Sequence, residues 1–251
     1  HPHQCLKLFL PSSTPQALFV LVHGGYWKQK WDVDNTPLPS LRPFLLDKGF
    51  AVADVEYRRR EDEGGRWPGT NQDIVSALGR LKEVIDQEGI GEVLSDVTFI
   101  GHSVGGQMVL WLDSQDLAIK PTTIVSVAPV ADMIEGYRQK LSDEGDAVEI
   151  FMNGLTPDTE EGLREYKKAS PAHLLPFSTP LILAIGSEDM AVPPQMGLDY
   201  YQKVVESGGS QLATLVQVEG ADHYTLVTAS EQAWLQIYSA LEVVRAKLRT
   251  K

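Results

Sequence analysis

Gly101-His102-Ser103-Val104-Gly105 sets a serine between two glycines, directly after the apolar run Val97-Thr98-Phe99-Ile100. Where a strand turns at once into a helix, a G-x-S-x-G stretch makes a nucleophile elbow. The turn strains the serine backbone and demands small neighbours. Gly101 and Gly105 supply the room, and Gly106 extends it. The Ser103 hydroxyl then stands at the N-terminus of the next helix, where the dipole favours developing negative charge. Gln107-Met108-Val109-Leu110-Trp111-Leu112 is a helix-compatible continuation.

A serine hydroxyl is a poor nucleophile at neutral pH. It needs a base within hydrogen-bond reach, and the base needs an orienting acid. In chains built around such an elbow the order is Ser, then Asp or Glu, then His. Asp189, in Ile185-Gly186-Ser187-Glu188-Asp189, follows an apolar run and precedes Val192-Pro193, so it is the candidate acid; Glu188 is the weaker one. Of the six histidines, His223 alone lies after both the serine and the acid and follows a strand pattern, which makes it the candidate base. Asp222 adjoins His223, where consecutive side chains diverge, and reads as a turn-maker. His102 belongs to the elbow and should face away from the nucleophile, and His173 reads as structural.

Acyl transfer also needs backbone N–H groups aimed where an oxyanion develops. One should come from Val104, the residue after the nucleophile. The others should come from the loop His23-Gly24-Gly25-Tyr26-Trp27, with Gly25 and Tyr26 as donors. His23 reads as a residue that hydrogen-bonds within that loop. Tyr26 and Trp27 offer a wall for an aromatic substrate, and Tyr224 a lining residue beside the base. There is no H-E-x-x-H and no cysteine cluster, so no metal site is expected, and no G-x-G-x-x-G follows a strand to suggest a nucleotide. No cofactor is expected.

Around these residues, strands are expected over 6–10, 17–22, 50–57, 97–100, 122–127, 181–185 and 213–218. Helices are expected over 38–48, 71–87, 196–206 and 231–248, with one opening at 107–112. The run 17–22 is continuously apolar, as for a strand buried on both faces. Alternating strands and helices predict an α/β class, one domain over 1–251, with a mostly parallel sheet covered on both faces. Residues 132–169 break the alternation with charged helical sequence and read as a small cap beside the site.

The net charge of -12 argues against nucleic acid and anionic membrane as partners and leaves a small-molecule substrate, with a homodimer open. The single Cys5 excludes an intrachain disulfide and suits a cytoplasmic setting. No apolar run approaches the roughly 18 residues that span a bilayer. No signal peptide is visible, although the chain starts at His1 without Met.

His23-Gly24-Gly25-Tyr26-Trp27, Gly101-His102-Ser103-Val104-Gly105-Gly106, Asp189 and His223 together resemble the kynurenine formamidase (arylformamidase) branch of the α/β-hydrolases, near the hormone-sensitive-lipase-like esterases. Val55-Glu56-Tyr57-Arg58-Arg59, Gly65-Arg66-Trp67-Pro68-Gly69-Thr70 and Asp73 extend the likeness to esterase-like hydrolases. The resemblance implies the α/β-hydrolase fold and cofactor-free cleavage of N-formylkynurenine to kynurenine and formate, in tryptophan catabolism. A short-chain carboxylesterase fits the same residues equally well. A prolyl-oligopeptidase-type peptidase shares the elbow but usually brings a propeller, for which 251 residues leave no room. A ligand receptor on this fold is the remaining alternative. Such receptors have usually lost a triad member, and here all three positions are filled.

Overall fold

The computed structural model describes residues 1–250. Seven strands form one sheet in the order β1-β3-β2-β4-β5-β6-β7. They are β1 (Leu6–Phe9), β2 (Leu18–Val22), β3 (Ala51–Val55), β4 (Val97–His102), β5 (Thr123–Val127), β6 (Leu181–Gly186) and β7 (Ala213–Val218). Only β1 runs antiparallel, pairing Leu6 with Val55 and Phe9 with Val52. The sheet, the helices and their alternation are those of the α/β-hydrolase fold.

Strand β2 shows why the chain layers as it does. All five of its residues are buried. Leu18, Val20 and Val22 enter one core, with Ile74, Leu78, Leu81 and Ile85 of α2 (Gly69–Gln87), Met108 and Leu112 of α3 (Val104–Leu112) and Tyr200 of α7 (Pro194–Glu206). Phe19 and Leu21 enter the other, with Leu41 and Leu45 of α1 (Leu41–Asp47) and Trp234, Ile237 and Leu241 of α8 (Gln232–Arg249). The period of two therefore feeds both faces, and each fully buried aliphatic or Phe side chain contributes about 1.5–3 kcal/mol.

Several boundaries differ from expectation, and those nearest the site matter most. β3 ends at Val55, not Tyr57, because Glu56 onward turns into a loop that braces the site. α2 begins at Gly69, two residues early. β4 extends to His102, whose ladder partner is Val127, and α3 starts at Val104, where Gln107 N–H already donates to Ser103 C=O at 3.1 Å. Strand and helix thus meet at Ser103 with no linker.

Residues 132–169 carry α4 (Met133–Arg138), α5 (Ala147–Phe151) and α6 (Glu160–Ala169), between β5 and β6. Their ends follow local chemistry. Asp132 caps α4 by accepting from Ile134 N–H at 3.0 Å, and Thr159 caps α6 by accepting from Gly162 N–H at 3.0 Å. Glu160 and Glu161 open α6 while Lys167 and Lys168 close it, matching the helix dipole. No helix among the described residues is long and apolar enough to cross a membrane.

Candidate active site

Ser103 adopts φ 59°, ψ −121°, a conformation unfavourable for a residue with a Cβ. The packing around it enforces this. A Cβ on Gly105 would lie 2.0 Å from the carbonyl oxygen of Val22, so only glycine lets α3 press against β2 there. Ser103 is 2% exposed and lines a cavity of about 370 Å³. His223 lines the same cavity.

Asp189 is buried in the turn after β6. Its Oδ1 accepts from the N–H groups of Ala191 and Val192, both at 2.9 Å, and its Oδ2 lies 2.7 Å from Nδ1 of His223. A carboxylate at Nδ1 selects the ring form with the proton there, which leaves the Nε2 lone pair free. No hydrogen bond joins Ser103 Oγ to His223 among the described residues; such bonds are often long without substrate and tighten with it. Asp222 serves its own turn, its Oδ1 accepting from Tyr224 N–H at 2.9 Å and Thr225 N–H at 2.8 Å. These bonds, that from Thr225 first, hold its carboxyl below the ordinary carboxylate range.

His102 packs beside the base. Its ring packs beside that of His223, centroids 4.4 Å apart, and its Nε2 donates to the His223 carbonyl oxygen at 2.8 Å. Burial, reinforced by the neighbouring imidazole, pushes its pKa well down, so it stays neutral and holds the His223 loop.

The His23–Trp27 loop meets the elbow from β2. Gly25, Tyr26 and Trp27 all have positive φ, at 113°, 51° and 56°. Gly25 is forced, since a Cβ there would strike Trp31 at 2.5 Å. Among the described residues the N–H groups of Gly25 and Tyr26 donate to no protein acceptor, and Val104, first in its helix, has no intrahelical one. Successive amides in such turns make anion-binding concavities. Gly25 and Tyr26 line the cavity; Trp27 does not. Expected at the substrate, Trp27 is instead fully buried and stacked on Phe151 of α5 at 4.0 Å, because its positive φ turns the side chain into the core. Tyr224 lines the cavity and is 58% exposed.

Several supports were not legible as such. The Tyr26 hydroxyl donates to the Ala191 carbonyl at 2.5 Å, tying this loop to the acid turn. Burial pushes that phenol's pKa up, so it remains a donor. Lys28, also buried, pairs with Glu144 between α4 and α5. Asp73 is buried and bridged by Arg58 at 2.7 Å and 2.9 Å. Outside the cavity lining, His1, His3 and Asp62 bring ligand atoms within 4.8 Å of one another, a grouping their sequence separation hides.

Behind the loop, His23 Nδ1 faces Gly24 C=O at 2.7 Å and Nε2 faces Glu56 Oε1 at 3.0 Å. Glu56 also takes the Arg59 guanidinium, Tyr57 N–H at 3.0 Å and Val33 N–H at 3.1 Å. Burial pushes the Glu56 pKa up, but the His23 hydrogen bond and the charges of His23 and Arg59 outweigh it and hold the carboxyl below its ordinary range. Its contribution is therefore whole above the unfolded value near 4.5 and is lost as pH falls through the lower folded value. Glu56→Ala should cost about 3–5 kcal/mol in denaturant unfolding, as removal of one member of a buried pair does. Glu56→Gln should flatten the loss of stability below pH about 4.5. Equal acid slopes in wild type and variant would contradict this role.

Comparison with known proteins decides the family. The sequence matches the prolyl oligopeptidase family over residues 39–240, four-fifths of its length. The chain belongs to that family. The match takes in Ser103, Asp189 and His223 and leaves out the His23–Trp27 loop. Acylamino-acid-releasing enzyme 1 of Oryza sativa is 26% identical over 226 residues, covering 82% of this chain and 27% of its own. Dipeptidyl-peptidase 5 of Aspergillus oryzae is 24% identical over 216 residues, covering 78% and 27%. This chain thus spans about a quarter of the length of these curated relatives, and the lack of room for a propeller was no ground for setting the family aside. Among solved structures, a truncated carbohydrate esterase from gut microbiota superposes with TM-score 0.73 at 17% identity, covering 96% of this chain and 90% of that one. Propionate-bound esterase 2 of Thermogutta terrifontis gives TM-score 0.71 at 19% identity, covering 97% and 89%. Family and fold are those of the α/β-hydrolase serine hydrolases.

Proposed function

We propose that the chain cleaves small carboxylic esters through an acyl-enzyme on Ser103. The observation that carries this is one cavity faced by a strained serine and by a histidine whose Nδ1 is held 2.7 Å from a buried carboxylate. In this reading Ser103 Oγ attacks the acyl carbon while His223 Nε2 takes its proton. The N–H groups of Gly25, Tyr26 and Val104 receive the oxyanion, each such donor being worth about 10²–10³ in kcat. His223 then gives the proton to the leaving oxygen. Water, deprotonated by His223, attacks the acyl-serine, releases the acid and restores Ser103. Asp189 keeps the ring in the working tautomer throughout.

Residues 132–169 act as a cap in this account, because 139–143 line the cavity and Glu144 ties the segment to Lys28. A volume of about 370 Å³ lies at the small end for ligand pockets. An aryl formamide is the second reading. It rests on the H-G-G-Y-W loop and on Tyr26, Trp31 and Tyr224 in the cavity wall. The amide-cleaving relatives named above keep amide substrates in the comparison.

A panel of p-nitrophenyl acetate, p-nitrophenyl butyrate, N-formyl-L-kynurenine and N-acetylalanine p-nitroanilide separates these. The expected result is an ester kcat/KM of about 10⁴ M⁻¹s⁻¹ or more, well above both amides. A formamide value above the esters would make the chain an arylformamidase, and an anilide value above them an acyl-peptide hydrolase.

A further inference from the structure

The cavity mouth reverses the charge of the chain. Asp and Glu outnumber Lys and Arg 34 to 22 overall. Yet the cavity lining carries Lys28, Lys30 and Lys140 against a single carboxylate, Asp143. Lys28 is neutralised by Glu144. Lys30 and Lys140 are exposed and enter no ion pair among the described residues; the Lys30 ammonium lies 5.2 Å from the ring centroid of Trp31. They come from two segments that the Lys28–Glu144 pair joins, Lys30 from the one after the His23–Trp27 loop and Lys140 from the one after α4. An acidic protein that gathers unpaired ammonium groups at one opening focuses anions there.

The same mouth concentrates apolar surface. Trp31, Met190 and Tyr224, at 36%, 93% and 58% exposure, are three of the six exposed large hydrophobic residues among the described residues, and all three line this cavity. Met190 directly follows Asp189, and Tyr224 directly follows His223. The leaving group takes its proton from His223, so its side of the opening is apolar. Clustered exposed apolar side chains mark binding surface, and a thioether adapts to varied shapes.

We propose that the substrate is an amphipathic anion: an ester whose aryl or alkyl leaving group packs on Met190 and Tyr224 and carries a carboxylate that Lys30 and Lys140 receive. This rests on Ser103 as the acylated nucleophile. It goes further by naming the class of molecule admitted.

The test compares 3-acetoxybenzoate with its methyl ester, which share the acyl group and the aryl leaving oxygen and differ in charge. In wild-type enzyme the anion should have the higher kcat/KM, by about five- to tenfold, the scale of two solvent-facing charge pairs. The Lys30→Gln/Lys140→Gln double variant should bring that ratio close to one, and 0.5 M NaCl should shrink it in wild type. A ratio at or below one in wild type, or one that survives in the double variant, overturns the proposal. Calorimetric binding of both esters to Ser103→Ala gives the same comparison without turnover. Preferential binding of the anion there supports the proposal even if neither ester is hydrolysed, a result that would count against the nucleophile alone. Hydrolysis of both esters with no charge preference in either assay counts against the proposal alone.

Discussion

Asp189→Asn lowers kcat on an activated ester by about 10⁴-fold, while Asp222→Asn stays within about tenfold of wild type. Geometry makes the first substitution more than a lost charge. Asp189 Oδ1 is already claimed by the N–H groups of Ala191 and Val192. The oxygen of an asparagine takes that place and turns its NH₂ toward His223. Two donors then face each other across the position now 2.7 Å wide. The ring must move its proton to Nε2, and a protonated Nε2 cannot accept from Ser103. At Asp222 the asparagine oxygen still receives Tyr224 N–H and Thr225 N–H, so the turn survives. The reverse ordering of the two variants would transfer the orienting role to Asp222.

Ser103→Ala removes turnover, a loss of about 10⁴–10⁶-fold in kcat. The fold should not notice. Alanine retains the Cβ, so the positive φ costs what it already costs, and the lost hydroxyl makes no hydrogen bond among the described residues. The expected change in unfolding free energy is under about 1 kcal/mol. Less than tenfold loss of turnover would show that another group is acylated.

Much of the site could be read directly from residue types and order. Ser103, Asp189 and His223 each follow an apolar run, and the structure places Ser103 directly at the end of β4 and Asp189 and His223 in the turns after β6 and β7, around one cavity or its adjoining turn. A period of two in β2 and of 3.6 in α2 report burial face by face, so the layers were legible too. Hidden features depend on backbone direction or long-range pairing. Trp27 and Tyr26 adjoin, yet consecutive positive φ values send one ring into the core and leave the other at the cavity. His102 and the carbonyl it holds lie 121 residues apart. Lys28 and Glu144 lie 116 apart, and Glu56 gives no sign in sequence that it supports His23. The prolyl oligopeptidase relationship was obscured for another reason. The H-G-G-Y-W loop that points toward arylformamidases lies outside the stretch that the family shares.

The central claim is that this chain, as folded, acylates on Ser103. Treating wild-type protein with a fluorophosphonate, then measuring intact mass and mapping the modified peptide, tests it most directly. The account predicts one adduct per chain on Ser103, absent in Ser103→Ala and formed far more slowly in Asp189→Asn. An unmodified folded protein, or an adduct on any other residue, would contradict it.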